Sequence, residues 1–61
     1  MFEYTTVTGK KVNINPNYIT AICGDDDECQ CYIHTVNATW IVEESYDTVT
    51  KHYGNWLARC G

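Results

Sequence analysis

Residues 39–60 read TWIVEESYDTVTKHYGNWLARC, and the spacing of their apolar side chains changes once, at Ser45. Before it, Thr39 to Glu43 is a short β-branched and aromatic run, the composition that suits a pleated, half-buried strand. After it, Tyr46, Val49, Tyr53, Trp56, Leu57 and Cys60 recur at the 3.6-residue period of one helix face. Ser45 is a suitable N-cap, because its hydroxyl can accept one of the unpaired backbone N–H groups at a helix start. Asp47 in the first turn complements the positive end of the helix dipole. Gly54-Asn55 is the soft point of the stripe, and the spacing predicts a helix over about 45–58.

Outward from this stretch the chain reads as strands. Residues 29–36 (CQCYIHTV) form a strand that a two-residue turn at Asn37-Ala38 joins to residues 39–43. That turn sets Ile33 against Val42 and Thr35 against Trp40 on one face, with His34 against Ile41 on the other. Residues 2–8 (FEYTTVT) and 11–14 (KVNI) form a hairpin about Gly9-Lys10, since glycine tolerates the positive φ such turns need. Asn15-Pro16-Asn17 breaks the ladder, because proline fixes φ and lacks the N–H. A brief turn at 16–18 leads to a strand at 19–23, and Gly24-Asp25-Asp26-Asp27-Glu28 is a polar connection.

Five strands followed by one helix predict a single α+β domain over residues 1–61. It is a small twisted antiparallel sheet of four to five strands with the C-terminal helix packed on it. The expected core is Val7, Val12, Ile14, Ile19, Ile22, Ile33, Val42, Val49, Tyr53 and Leu57. A chain of 61 residues buries only about 60% of the surface that its unfolded form exposes. Chains so short are commonly supported by disulfides, metals or self-association, and an open sheet edge offers a route to the last. A homo-oligomer is therefore expected.

Residues 12–49 resemble a known small-protein pattern. Asn15-Pro16-Asn17-Tyr18 precedes an Ile-x-x-Ile step from Ile19 to Ile22, and Val42-Glu43-Glu44-Ser45 opens the final helix. This is similar to the FlbD-type flagellar and swarming-motility proteins and their short bacterial and phage relatives. The shared features are a turn, a core step and a cap, so the resemblance implies a bacterial or phage origin and a non-enzymatic role, not a flagellar one. The chain departs from the pattern in Asn37-Ala38, where the family has Asn-Gly, in its four cysteines and in its tail from His52 onward.

Eight acidic against four basic side chains give a formal net charge of −4. That balance opposes direct nucleic-acid binding and attachment to an anionic membrane through a basic patch. It suits a partner with a basic surface. Residues 1–5 have neither the basic nor the apolar region of a secretory signal, no apolar run is long enough to span a bilayer, and lipidation signals are missing at both ends. A cytoplasmic location is expected (the host cytoplasm for a phage product).

The cysteines are Cys23, Cys29, Cys31 and Cys60. Cys29-x-Cys31 on a strand, with His34 and Cys60, is the candidate metal set of a structural zinc domain. Its spacing lacks the two to four intervening residues of a zinc knuckle. Cys23 and Cys29 flank the polar connection and could face each other, although a reducing compartment disfavours a disulfide. No nucleophile and base, paired carboxylates or phosphate-cradling glycine loop is recognisable, so no catalytic residue, enzyme activity or cofactor is expected.

Two Trp, five Tyr and one Phe exceed what so small a core can hold. The candidate binding residues are the acidic run Asp25, Asp26, Asp27 and Glu28 with Tyr18, Tyr32, Trp40 and Trp56, since Tyr and Trp are favoured at contacts. The composite reading is a binding or regulatory protein, for instance a phage-encoded inhibitor of a bacterial host factor, occupying its target through an acidic and aromatic surface. The alternative is an oligomer sequestering a small ligand such as a nucleotide signal, with bases stacked on aromatics and phosphates held by Lys10, Lys11, Lys51 or Arg59.

Overall fold

The hairpin at the start of the chain forms, but about a five-residue loop and not the tight Gly9-Lys10 turn expected. The computed structural model describes residues 2–60, apart from the side chain of Cys60. β1 (Phe2–Thr5) pairs antiparallel with β2 (Lys11–Ile14), Tyr4 lying opposite Val12 and Phe2 opposite Ile14. β1 ends three residues earlier than its composition suggests. The connection is a loop from Thr6 to Lys10, in which Thr6 N–H donates to the Lys10 carbonyl at 2.7 Å and Gly9 N–H to the Thr6 carbonyl at 2.9 Å. Gly9 takes a φ of +88°, a conformation that costs a residue with a Cβ.

A 3-10 turn follows at Pro16–Tyr18, capped by the Asn15 side chain, which accepts the Asn17 N–H at 3.0 Å. Proline at the first position loses nothing there, because its missing N–H would have had no partner. β3 (Ile19–Gly24), β4 (Cys31–Thr35) and β5 (Thr39–Val42) then form an antiparallel meander in the order β3-β4-β5. A bulge between Ile19 and Ala21 shifts the register of β3. One extra residue changes the facing of what precedes it, so Ile19 and Ile22, three apart, both pack against the core.

Instead of one sheet, the five strands make two: the β1-β2 pair and the three-stranded meander. An isolated bridge between Thr6 and Val42 joins them. It is flanked by Val7 N–H to the Ile41 carbonyl at 3.0 Å and by Glu43 N–H to the Thr5 carbonyl at 2.8 Å. The chain just after β1 therefore leaves β2 and runs along β5.

Between β4 and β5 the observed pairs are Ile33–Trp40, Tyr32–Ile41 and Cys31–Val42, two residues from the register expected of a two-residue turn. The turn is longer because Thr35 closes it. Its N–H donates to the Ala38 carbonyl at 2.8 Å, and its hydroxyl accepts the Ala38 N–H at 3.2 Å. A slip of two preserves the faces, so Ile33 and Val42 still point inward.

The helix α1 spans Tyr46–Cys60, two residues beyond the expected end, and Gly54 does not interrupt it. Ser45 caps it as expected, its Oγ accepting the Thr48 N–H at 3.1 Å. The helix packs on β3 and β4, and Val49 is fully buried in one core cluster with Ile33, Val42, Cys31, Ile14 and Tyr4. Of the expected core, Ile14, Ile33, Val42 and Val49 are buried, while Val7, Val12, Ile19, Ile22 and Tyr53 are half-buried. Leu57 is 48% exposed. The last turns of the helix face β1 through His52, Asn55, Trp56 and Arg59, which line a depression with Phe2, Glu3 and Tyr4, and Leu57 is not among them. Tyr4 and Cys31 occupy core positions assigned to neither by periodicity.

Candidate functional site

The acidic connection between β3 and β4 is a folded loop. Asp27 organises it: its Oδ1 accepts the Cys29 N–H at 2.9 Å, and its carbonyl accepts the Gln30 N–H at 3.1 Å. Such an Asx turn exploits the short reach of an aspartate side chain to its own downstream backbone. Asp26, Asp27 and Glu28 are left in solvent and Asp25 is half-buried.

Because Gly24 packs against Tyr46, the loop is held beside the start of α1; a Cβ on Gly24 would stand 3.7 Å from that ring. Asp25, Glu28 and Gln30 therefore share a depression of about 320 Å³ with Ser45, Tyr46 and Asp47. Tyr46, the first residue of the apolar stripe, is 44% exposed there. Three carboxylates around an exposed phenol make an acidic and aromatic face. Asp47 sits in the first helical turn, where the dipole favours negative charge.

The aromatic candidates lie elsewhere. Tyr18 is 54% exposed, and its carbonyl accepts the Val36 N–H at 3.0 Å. Ile19 pairs with Thr35, so Tyr18 lies at the far end of β4 from the acidic loop. Tyr32 is half-buried between its cross-strand partners Cys23 and Ile41. Trp40 packs against the core and also lines a cleft of about 530 Å³ with Thr6, Val7, Lys10, Lys11 and Ile41. Trp56 stacks on Tyr53 with ring centroids 5.8 Å apart and lines a third depression with Phe2, Glu3, His52 and Arg59. The eight candidate binding residues thus occupy several distinct places on the surface. Tyr46, which joins the acidic group, was not among them.

Nor does the structure gather the candidate metal ligands. Cys31 is fully buried on the core face, whereas Cys29 precedes the strand and is exposed. His34 lies on the opposite face of β4, its Nδ1 3.0 Å from Thr39 Oγ1. The side chain of Cys60 lies outside the described residues. Among those described, no three His, Cys, Asp or Glu side chains converge as a metal site would require. Cys23 is paired across the ladder with Tyr32 and is a free thiol, as are Cys29 and Cys31.

Two groups under the helix have shifted protonation. Burial pushes the Tyr4 phenol up from 10.0 to about 12, with smaller contributions from the charges of Glu44 and Cys31. Burial also raises the Cys31 thiol above 9.0, assisted by Glu44. The Tyr4 hydroxyl lies 3.0 Å from His52 Nδ1, and the two rings stack at 6.1 Å. Tyr4 therefore ties the β1-β2 sheet to the helix, while the raised thiol of Cys31 is a poor nucleophile.

No protein-family model, curated protein or solved structure matches the chain. No helix among the described residues is long and apolar enough to cross a membrane.

Proposed function

We propose that the protein is a non-enzymatic binding module that engages a basic surface of a partner protein through the acidic loop and Tyr46. The carrying observation is the convergence of Asp25, Glu28 and Asp47 around that half-exposed ring. A phenol with an apolar body and a polar tip can bury area against a partner, and the carboxylates beside it select for positive charge. The depression is lined mainly by polar and charged side chains, with one aromatic ring, an arrangement suited to a contact with a protein surface. The motif resemblance to FlbD-type proteins and their phage relatives is in keeping with this reading. Occupation of a bacterial factor by a phage-encoded inhibitor is one form that it takes.

The test is a titration of the partner recovered from the source cells with wild type and with D25N/D26N/D27N. Asparagine retains the oxygen that caps Cys29, so the loop keeps its turn while three charges are removed. The expected result is at least tenfold weaker binding with a flatter dependence on salt. Unchanged affinity would remove the acidic loop from the contact.

A further inference from the structure

The chain carries a surface complementary to its own acidic loop. Two of its four basic side chains, Lys10 and Lys11, line the cleft of about 530 Å³ where the β1-β2 hairpin departs from β5. Val7, Val12, Trp40 and Ile41 give that cleft apolar walls, and Thr6, Thr8 and Thr39 place hydroxyls along it. The hairpin loop is pinned by Thr6, whose Oγ1 lies 2.9 Å from Thr8 Oγ1 and accepts the Lys10 N–H at 3.2 Å. The backbone bearing the lysines is thereby set in advance, which lowers the ordering cost of binding.

The loop and the cleft are separate surfaces, with no lining residue in common. Gly24 pairs with Cys31 and Cys31 with Val42, so the loop lies toward the Val42 end of β5. It is held there beside Tyr46 through Gly24. We infer that the acidic loop of one copy docks in the Lys10–Lys11 cleft of the next, giving a head-to-tail assembly. Complementary charge on two separate surfaces of one chain makes a heterologous contact, which leaves a free loop and a free cleft on every open oligomer and so permits growth until a ring closes. The inference rests on the reading of residues 25–28 as a contact surface and names a second copy as one occupant of that contact.

Sedimentation velocity across a concentration series, with reciprocal charge exchange, is the test. Wild type should grow in mass beyond the 7.0 kDa chain as concentration rises. K10E/K11E and D26K/E28K should each weaken self-association at least tenfold. K10E/K11E/D26K/E28K, with both charges exchanged, should restore it. Each exchange moves two charges, so the first variant has a formal net charge of −8, the second zero, and the combined variant the −4 of wild type. Association governed by net charge alone would strengthen in D26K/E28K, so the two accounts predict opposite results.

Lys10, Lys11, Asp26 and Glu28 are all exposed. If an exchanged variant loses its native circular dichroism, K10Q/K11Q and D26N/E28Q replace the exchange pairs and should each weaken association. The inference is overturned if wild type stays monomeric at millimolar concentration, if K10E/K11E assembles as wild type does, or if the combined variant is not restored. It is also overturned if a nucleotide stabilises the protein through Lys10 and Lys11 without affecting assembly. If only the inference fails, D26K/E28K still loses the foreign partner. If the loop is no contact surface at all, that variant keeps both.

Discussion

Tyr4 shows how much one residue can depend on pairing that is distant in sequence. Its immediate neighbours, Glu3 and Thr5, say little about burial, yet its cross-strand partner Val12 is an evident core candidate. Partners share a face, so the signal for Tyr4 was present in the hairpin and needed only the register to be read. Cys31 is similar: it lies two residues from Ile33 on the same side of β4, and its chemistry as a thiol obscures its place as a small hydrophobe.

The raised phenol of Tyr4 has a definite sign. Folding favours the protonated form, so the stability this group contributes is complete below pH 10 and is lost as pH rises from 10.0 to about 12. Tyr4→Phe should move the alkaline unfolding midpoint upward while costing about 1 kcal/mol near neutrality through loss of the His52 hydrogen bond. Denaturant melts of both proteins across that pH range would check this; parallel alkaline limbs would assign the loss elsewhere. At neutral pH, peptide mapping after brief thiol alkylation should find Cys23 and Cys29 modified. Cys31 should be labelled only after unfolding.

Among the elements, those defined by local chemistry were legible. The Asn-Pro turn, the Ser45 cap and the stripe through Val49 each depend on side chains within a few residues of the backbone they direct. What was not legible depends on distant contacts. The bridge between Thr6 and Val42 joins positions 36 apart, and no local pattern announces that the chain meets β5 just after β1. The β4-β5 register turned on whether Thr35 would close a longer turn, a choice that the dipeptide Asn37-Ala38 does not make.

Two substitutions probe the helix in opposite directions. Ser45→Ala removes the acceptor of the Thr48 N–H and should destabilise the protein by about 1 kcal/mol. Gly54→Ala should stabilise it by about 0.5–1 kcal/mol, because the chain is helical there and a Cβ would meet no atom within 4 Å. Urea melts measure both. A destabilising Gly54→Ala would mean that something packs against that position.

At the scale of the whole molecule, a small core and a surplus of Tyr and Trp correctly suggested that aromatics would remain at the surface. They did not reveal which would be grouped. Grouping is set by how the strands and helix meet: the acidic loop is fixed beside Tyr46 by Gly24, while Tyr18 is carried to the opposite end of β4. The acidic run was readable from sequence, but its companion on the helix required the fold.

The role proposed for that face is contact with a protein partner. Native mass spectrometry of the chain purified from its source cells tests it most directly. The predicted result is the 7.0 kDa chain in a fixed ratio with a second protein, and loss of that protein from D25N/D26N/D27N. A chain released with zinc or a nucleotide and no protein partner would contradict it.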